Sequence, residues 1–324
     1  MKKLLFILSF LFLNICYAKN IIHSTENYAN RPIRIILPQP AGGSADTNAR
    51  AMSETLGNFL GQNIVIDNRA GAGGIIAGEI FSKAPPDGHT MLFASGSLIT
   101  NQVINKNISF DIIRDFIPVT QVAKTFGYIV LVNTHVGVTN IKELVALGKK
   151  TQVNYGSGGI GNALHLGTEL INIRSGAKLF HIPYKGLAPI IPALMSNEIQ
   201  VTLAPPLTVI QHIKSGKLIP IAYTGTKRWN NMPDVPTMAE SGVSNCVYEP
   251  GGHGIFVPIK TPMNIVNQIH AAVVATINTP KIIEHFSKGG YTPIGSTPME
   301  FKLYLKSELK HTTEIVRTIK IETN

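Results

Sequence analysis

The strongest constraint on this chain's fold is a unit that keeps recurring: a short apolar run, a glycine-rich break, then a longer stretch with helical periodicity. Residues 33–38 (Ile-Arg-Ile-Ile-Leu-Pro) predict a short buried strand. Gly42-Gly43 interrupts it. From Ser44 to Leu60, the apolar residues Ala45, Ala49, Met52, Leu56 and Phe59 or Leu60 then fall on one side of a helix. Ile64-Val65-Ile66 predicts the next strand, closed by Asp67-Asn68-Arg69 and the cluster Gly71, Gly73, Gly74. A helix over 75–83, a turn at Pro85-Pro86-Asp87-Gly88 and a strand from Thr90 to Ala94 follow.

The pattern restarts near Tyr128. Tyr128 to Val132 predicts a strand, Ile141 to Lys149 a helix, and Val153-Asn154-Tyr155 a strand that runs into Gly156-Ser157-Gly158-Gly159-Ile160-Gly161. A helix from Asn162 to Arg174, a strand from Leu179 to Ile182, a helix over 187–195, and strands at Val201–Leu203 and Leu218–Tyr223 complete this second passage. The last section opens with a strand near Gly254–Val257 and continues in helices over 262–277, 280–288 and 298–320. Strands alternating with helices at this spacing predict parallel α/β sheets. Two such passages in 324 residues suit two units of ordinary size.

The N-terminus predicts export. Lys2-Lys3 is a basic start, Leu4 to Ile15 an apolar stretch, and Cys16-Tyr17-Ala18 a cleavage region ending in a small residue. This is the layout of a cleaved signal peptide over 1–18, with the mature chain in the periplasm. The apolar run is shorter than the roughly 20 residues a bilayer span needs, and Asn14-Ile15 is a poor context for lipid attachment at Cys16. Cleavage leaves Cys246 alone, so no internal disulfide is expected, and the thiol reads as a small hydrophobe. The formal charge of +10 becomes +8 without Lys2 and Lys3. The basic residues are spread and not interleaved with aromatics, which suits anionic solutes in general and predicts no nucleic-acid partner.

Several stretches taken together resemble the substrate-binding receptors of the tripartite tricarboxylate transporters, the Bug proteins. They are Arg31-Pro32-Ile33-Arg34-Ile35-Ile36 with Pro38-Gln39-Pro40-Ala41-Gly42-Gly43-Ser44-Ala45-Asp46, and Asp67-Asn68-Arg69-Ala70-Gly71-Ala72-Gly73-Gly74. Pro86-Asp87-Gly88-His89-Thr90, Asn154-Tyr155-Gly156-Ser157-Gly158-Gly159 with His165-Leu166, and Pro183-Tyr184-Lys185-Gly186 follow in the family's order. Pro233-Asp234-Val235-Pro236-Thr237 extends the similarity toward residue 258. Gln39 and Gly252 depart from it, because both stand where the family usually has an aromatic residue.

The resemblance implies an α/β fold like the type II periplasmic binding proteins. Two Rossmann-like lobes would be joined by two crossing segments, with a ligand cleft between them. Lobe 1 would take 19–125 and 226–324, and lobe 2 would take 126–225. The implied function is capture of a small organic anion, a mono-, di- or tricarboxylate, by a monomeric receptor that delivers it to membrane permease subunits, with no cofactor, no metal and no catalysis. A sensor of the same fold is the alternative.

The chemistry would rest on helix starts, where unpaired N–H groups and partial positive charge hold a carboxylate without Arg or Lys. The expected ligand set at the first helix is Gln39, Pro40, Ala41, Gly42, Gly43, Ser44 and Asp46, with Ser95 and Gly96 at a first-lobe strand end. At the second helix it is Ser157, Gly158, Gly159, Ile160, Gly161, Asn162 and His165, with Ala204 and Pro205 after the strand at Val201–Leu203. Plainer roles stand beside these: Asp46 as a first-turn carboxylate that orders its loop, His165 as a packing histidine, Gly71 to Gly74 as a structural turn and Lys185 as a structural lysine.

Two enzyme readings compete. Gly156 to Gly161 matches the G-x-G-x-x-G dinucleotide fingerprint, but the strand from Leu179 to Ile182 ends in Pro183-Tyr184-Lys185 and lacks the ribose-binding carboxylate. Ser157 or Ser95 with His165 or His253 could serve a hydrolase, yet Gly-Ser-Gly is not the G-x-S-x-G elbow.

Overall fold

The computed structural model describes residues 28–105, 107–249 and 251–319, so the expected export signal lies outside the described residues. The chain forms two lobes, each built on its own sheet. The first passage runs β1 (Ile33–Leu37), α1 (Ser44–Leu60), β2 (Ile64–Asn68), α2 (Ile75–Ser82), β3 (Thr90–Ser95), α3 (Gly96–Ile104) and β4 (Phe116–Thr125). The second runs β5 (Ile129–Asn133), α4 (Ile141–Lys150), β6 (Val153–Ser157), α5 (Ala163–Ser175), β7 (Leu179–Pro183), α6 (Leu187–Met195), β8 (Val201–Ala204), α7 (Pro206–Lys214) and β9 (Leu218–Tyr223). The chain then returns through β10 (Gly252–Pro258), α8 (Met263–Ile277), α9 (Pro280–Lys288), β11 (Tyr291–Pro293) and α10 (Pro298–Ile319).

Local sequence explains the core units. β1 is buried along nearly its whole length, as a strand covered on both faces must be. In α1 the buried Ala45, Ala49, Met52, Leu56 and Leu60 follow helical spacing, and Gly61 ends the helix in the left-handed conformation at φ 70°. Leu56 is 1% exposed, and a leucine so placed contributes about 1.5–3 kcal/mol by leaving water.

The sheets are mixed, where alternation alone predicts parallel ones. The first has the order β11-β4-β10-β3-β1-β2, with β1 parallel to β2 and β3 and with β10 antiparallel to both β3 and β4. The second has the order β7-β6-β8-β5-β9, with β6 parallel to β7 and β8 and with β5 antiparallel to β8 and β9. The cause is the path between lobes. β4 carries the chain out and β10 carries it back beside it, Gly252 opposite Lys124, so the return strand must run the other way. β4 carries no sequence signal of its own, because Pro118 lies within it. The β10 register shifts between Ile255 and Phe256, where Pro118 pairs, and an irregularity of this kind accommodates a residue without an N–H.

Residues past 226 do not all pack with the first lobe. Val235, Met238, Val243, Cys246 and Tyr248 belong to the second lobe's core. Tyr223 explains the placement: its N–H donates to Pro236 O at 2.8 Å and its carbonyl accepts from Met238 N–H at 3.0 Å, tying this stretch to the outer edge at β9. Cys246 is 2% exposed, and burial pushes its thiol up to about 11, which fits a packing role. α10, about 33 Å long by its residue count, buries Phe301 and Leu305 in one core of the first lobe and Val316 in that of the second. It therefore spans both lobes beside the two crossing segments. No described helix is long and apolar enough to cross a membrane.

Candidate functional site

A cavity of about 380 Å³ lies between the lobes, toward the small end of ligand-site volumes. Its walls follow from strand direction, since open parallel sheets place ligands beyond the carboxyl ends of their strands. From the first sheet come Pro38-Gln39-Pro40 after β1, Ala70 to Gly73 after β2, and Gly96 after β3. From the second come Gly158 to Ile160 after β6, Tyr184 to Gly186 after β7, and Pro205 after β8. Six loops from two sheets meet at one space.

Both helix starts reach it, through Ser44 at α1 and through Asn162, Ala163 and Leu164 at α5. Most of their N–H groups already have acceptors. At α1 the Gly42 N–H donates to Asp46 Oδ2 at 2.9 Å, Gly43 N–H to Pro40 O at 3.3 Å, and Ala45 N–H to Gln39 Oε1 at 3.2 Å. At α5 the Gly159 N–H donates to Ser157 Oγ at 3.2 Å, Gly161 N–H to His165 Nδ1 at 3.2 Å, and Leu164 N–H to Asn162 Oδ1 at 2.9 Å. Of these acceptors Gln39, Pro40 and Asn162 also line the cavity, whereas Asp46, Ser157 and His165 do not.

Of the residues expected from sequence, Gln39, Pro40, Ser44, Gly96, Gly158, Gly159, Ile160, Asn162 and Pro205 line the cavity. Ser95 ends β3, and its side chain lies outside the described residues. Ala41, Gly42, Gly43, Asp46, Ser157, Gly161, His165 and Ala204 are not part of the lining. Ala41 and Gly42 are exposed, and Ala204 is wholly buried.

Asp46 holds a loop. Its carboxylate, 5% exposed, accepts from Gly42 N–H, from Arg50 Nε at 2.9 Å and from Asn68 Nδ2 at 3.0 Å. Burial works to raise its pKa, but the bonds from Arg50, Gly42 and Asn68, with the Arg50 charge, outweigh that and hold it below the usual value. His165 is 7% exposed, with its Nδ1 accepting from Gly161 N–H, its ring 4.2 Å from that of His181 and its pKa pushed down to about 4 by burial. Ser157 Oγ lies 2.6 Å from His181 Nε2, not beside His165 or His253. Ser157 is 0% exposed, so no substrate could reach that pair without rearrangement.

Sequence reasoning left out several wall residues. Gly71 to Gly73, which read in the sequence as a structural turn, and Lys185, which reads as a structural lysine, both line the cavity. Asn101, Ile104, Tyr128, His253 and Tyr291 are brought in by α3, the crossing segments and the sheet's returning strands. Only His253, beside an unusual Gly252, carried a signal in the sequence. The described lining holds no carboxylate, and Lys185 supplies its only formal charge, at an exposed position. Among the described residues no group of three or more His, Cys, Asp or Glu could hold a metal ion.

Known proteins match this architecture closely. The TctC family, the receptor of the tripartite tricarboxylate transporter family, matches residues 48–321. Protein BugT of Bordetella pertussis is 31% identical over 298 residues, covering 91% of each chain. The structure of the periplasmic binding protein BugD superposes with a TM-score of 0.87 at 28% identity, over 92% of this chain and 100% of that one. R. palustris Rpa4515, in a structure with adipate, has a TM-score of 0.86 at 28% identity, over 90% of this chain and 98% of the other.

Proposed function

Since this chain belongs to the receptor family of the tripartite tricarboxylate transporters, we propose that it captures a small organic carboxylate between its lobes and presents it to membrane permease subunits. The observation that carries this reading is the convergence of six strand-end loops on one carboxylate-free cavity. A carboxylate entering it meets the starts of α1 and α5 and no carboxylate in the described lining. Adipate in the related R. palustris protein points to the same ligand class.

Binding without turnover is the role we infer, with Ser157 serving the turn and not a reaction. We further place the export signal at 1–18 and a periplasmic site of action, as BugD's description as a periplasmic protein suggests. For the lobes, we infer a first unit from the segments through 125 and from 252 onward, with 129–249 as the second, because the cores divide there.

The test is thermal unfolding of the mature chain against mono-, di- and tricarboxylates, with mass spectrometry of any co-purified ligand. At 100 times Kd a ligand adds about 2.7 kcal/mol, so at least one acid should raise Tm by several degrees. If no organic anion does so, the carboxylate reading fails.

Gln39 offers a sharper check. Its side-chain oxygen accepts from the Ala45 N–H in the first turn of α1, a donor that removing the side chain would free. A charge-assisted bond is worth about twice a neutral one. Gln39→Ala should therefore tighten carboxylate binding by about five-fold in calorimetry, whereas a loss of affinity would show that Gln39 itself contacts the ligand.

A further inference from the structure

We propose that His253 is a dedicated neutral hydrogen-bond donor for a second oxygen function of the ligand, held in that role by Asn48 and His285. The proposal rests on the receptor reading above and narrows its ligand class to organic acids that carry an oxygen acceptor besides the captured carboxylate.

His253 lies on β10, lines the cavity and is 3% exposed. Its ring is clamped: Phe93 stacks on it at 5.1 Å with 12° between planes, and Tyr291 lies 5.3 Å away. Behind it sits Asn48 of α1, 0% exposed, whose amide joins two histidines. Asn48 Oδ1 lies 3.0 Å from His285 Nε2, and Asn48 Nδ2 lies 3.4 Å from His253 Nδ1.

An amide has one accepting end and one donating end. With Oδ1 accepting from His285 Nε2–H, the other end donates, and His253 Nδ1 must accept. A neutral imidazole carries a single N–H, so that proton sits on Nε2. Burial with no carboxylate beside the ring keeps it neutral, pushing its pKa down to about 3. What His253 offers the cavity is thus a donor. Ser44 and Tyr291 stand on the same wall. A ligand without a matching oxygen would leave a buried N–H unpaired, a penalty that a site built around a donor turns into selectivity.

Two measurements test this. Nitrogen-15 NMR of the histidines in the unliganded mature chain should show His253 as the Nε2–H tautomer. Asn48→Leu should let the other tautomer appear, a change that loss of packing alone would not produce. Calorimetry should then compare acids of matched length: adipate, adipamate and hexanoate, with succinate, succinamate and butanoate as a shorter set. In at least one set the two oxygen-bearing members should bind about 10-fold tighter than the alkanoate. His253→Phe should bring that ratio to within about two-fold, and His253→Gln, which restores a neutral donor, should recover part of it. An Nδ1–H tautomer, equal binding by wild type across both sets, or a preference surviving in His253→Phe overturns the proposal. Failure of every carboxylate to bind would strike the receptor reading instead, and the tautomer, read without ligand, still decides the donor assignment.

Discussion

Gly186→Ala should weaken ligand capture by at least about 100-fold, or about 2.7 kcal/mol, while both lobes stay folded. Gly186 precedes α6 in the second lobe with φ at 109°, and a β-carbon there would lie 2.6 Å from Pro40 Cδ and 2.7 Å from Pro40 Cγ in the first. Carbon atoms rest about 3.5–4.0 Å apart, and a proline ring has no rotamer to retreat into. The lobes must separate. Gly161 meets the opposite wall in the same way, its absent β-carbon 2.7 Å from Ile104 Cδ1 of α3. Ile104 is flexible at its tip, so Gly161→Ala should cost less than Gly186→Ala.

Both glycines have positive φ, so backbone strain has to be told apart from the clash between lobes. Gly42→Ala does this. Gly42 also has positive φ, 81°, yet a methyl there would rest 3.9 Å from Ala188 Cβ across the same cleft, an ordinary contact. It should cost stability but leave affinity within about three-fold. X-ray scattering with and without ligand supplies the second readout, because Gly186→Ala should stay extended where Gly42→Ala compacts. Equal affinity losses in the two variants would mean that strain, and not lobe contact, is what matters.

Asp46→Ala should lower stability by about 2–4 kcal/mol, although Asp46 is not part of the cavity wall. Its buried carboxylate joins the Gly42 N–H, Arg50 and Asn68, and Asn68 in turn donates to Gln39 O at 3.0 Å. Removing it orphans donors on three segments and loosens the loop that presents Gln39 and Pro40. The pH dependence has a definite sign. The folded pKa lies below the ordinary 3.8, so the contribution is fully present above that value and disappears as pH falls through the folded pKa. Urea denaturation from pH 6 to pH 2 should therefore show the gap between wild type and Asp46→Asn narrowing below about pH 4. A gap that is constant with pH would mean the carboxylate's charge contributes nothing.

Much of this arrangement is local and can be read from the chain itself. The strand–glycine–helix units over 33–95 and 129–195 depend on neighbours two to four residues apart, and so does α1's buried stripe. The glycine-led starts of α1 and α5 were legible for the same reason, as were the family's motifs. Their chemistry was only half legible. A glycine turn announces N–H groups, but whether these face a ligand or a neighbouring acceptor depends on side chains such as Asp46 and His165, whose direction periodicity does not encode.

Sequence alone determined that the chain is a two-passage α/β protein with anion-suited helix starts and the motifs of a transport receptor. Tertiary structure decided which strand ends meet, that residues 235–248 join the second core, that α10 spans both lobes, and that His253 and Tyr291 complete a wall begun more than 200 positions earlier at Ser44. The division has one cause. Element type is set by short-range side-chain periodicity, whereas a cavity wall is set by pairing between strands far apart in the chain, such as Gly252 against Lys124, and that pairing exists only once the chain has returned from its other lobe.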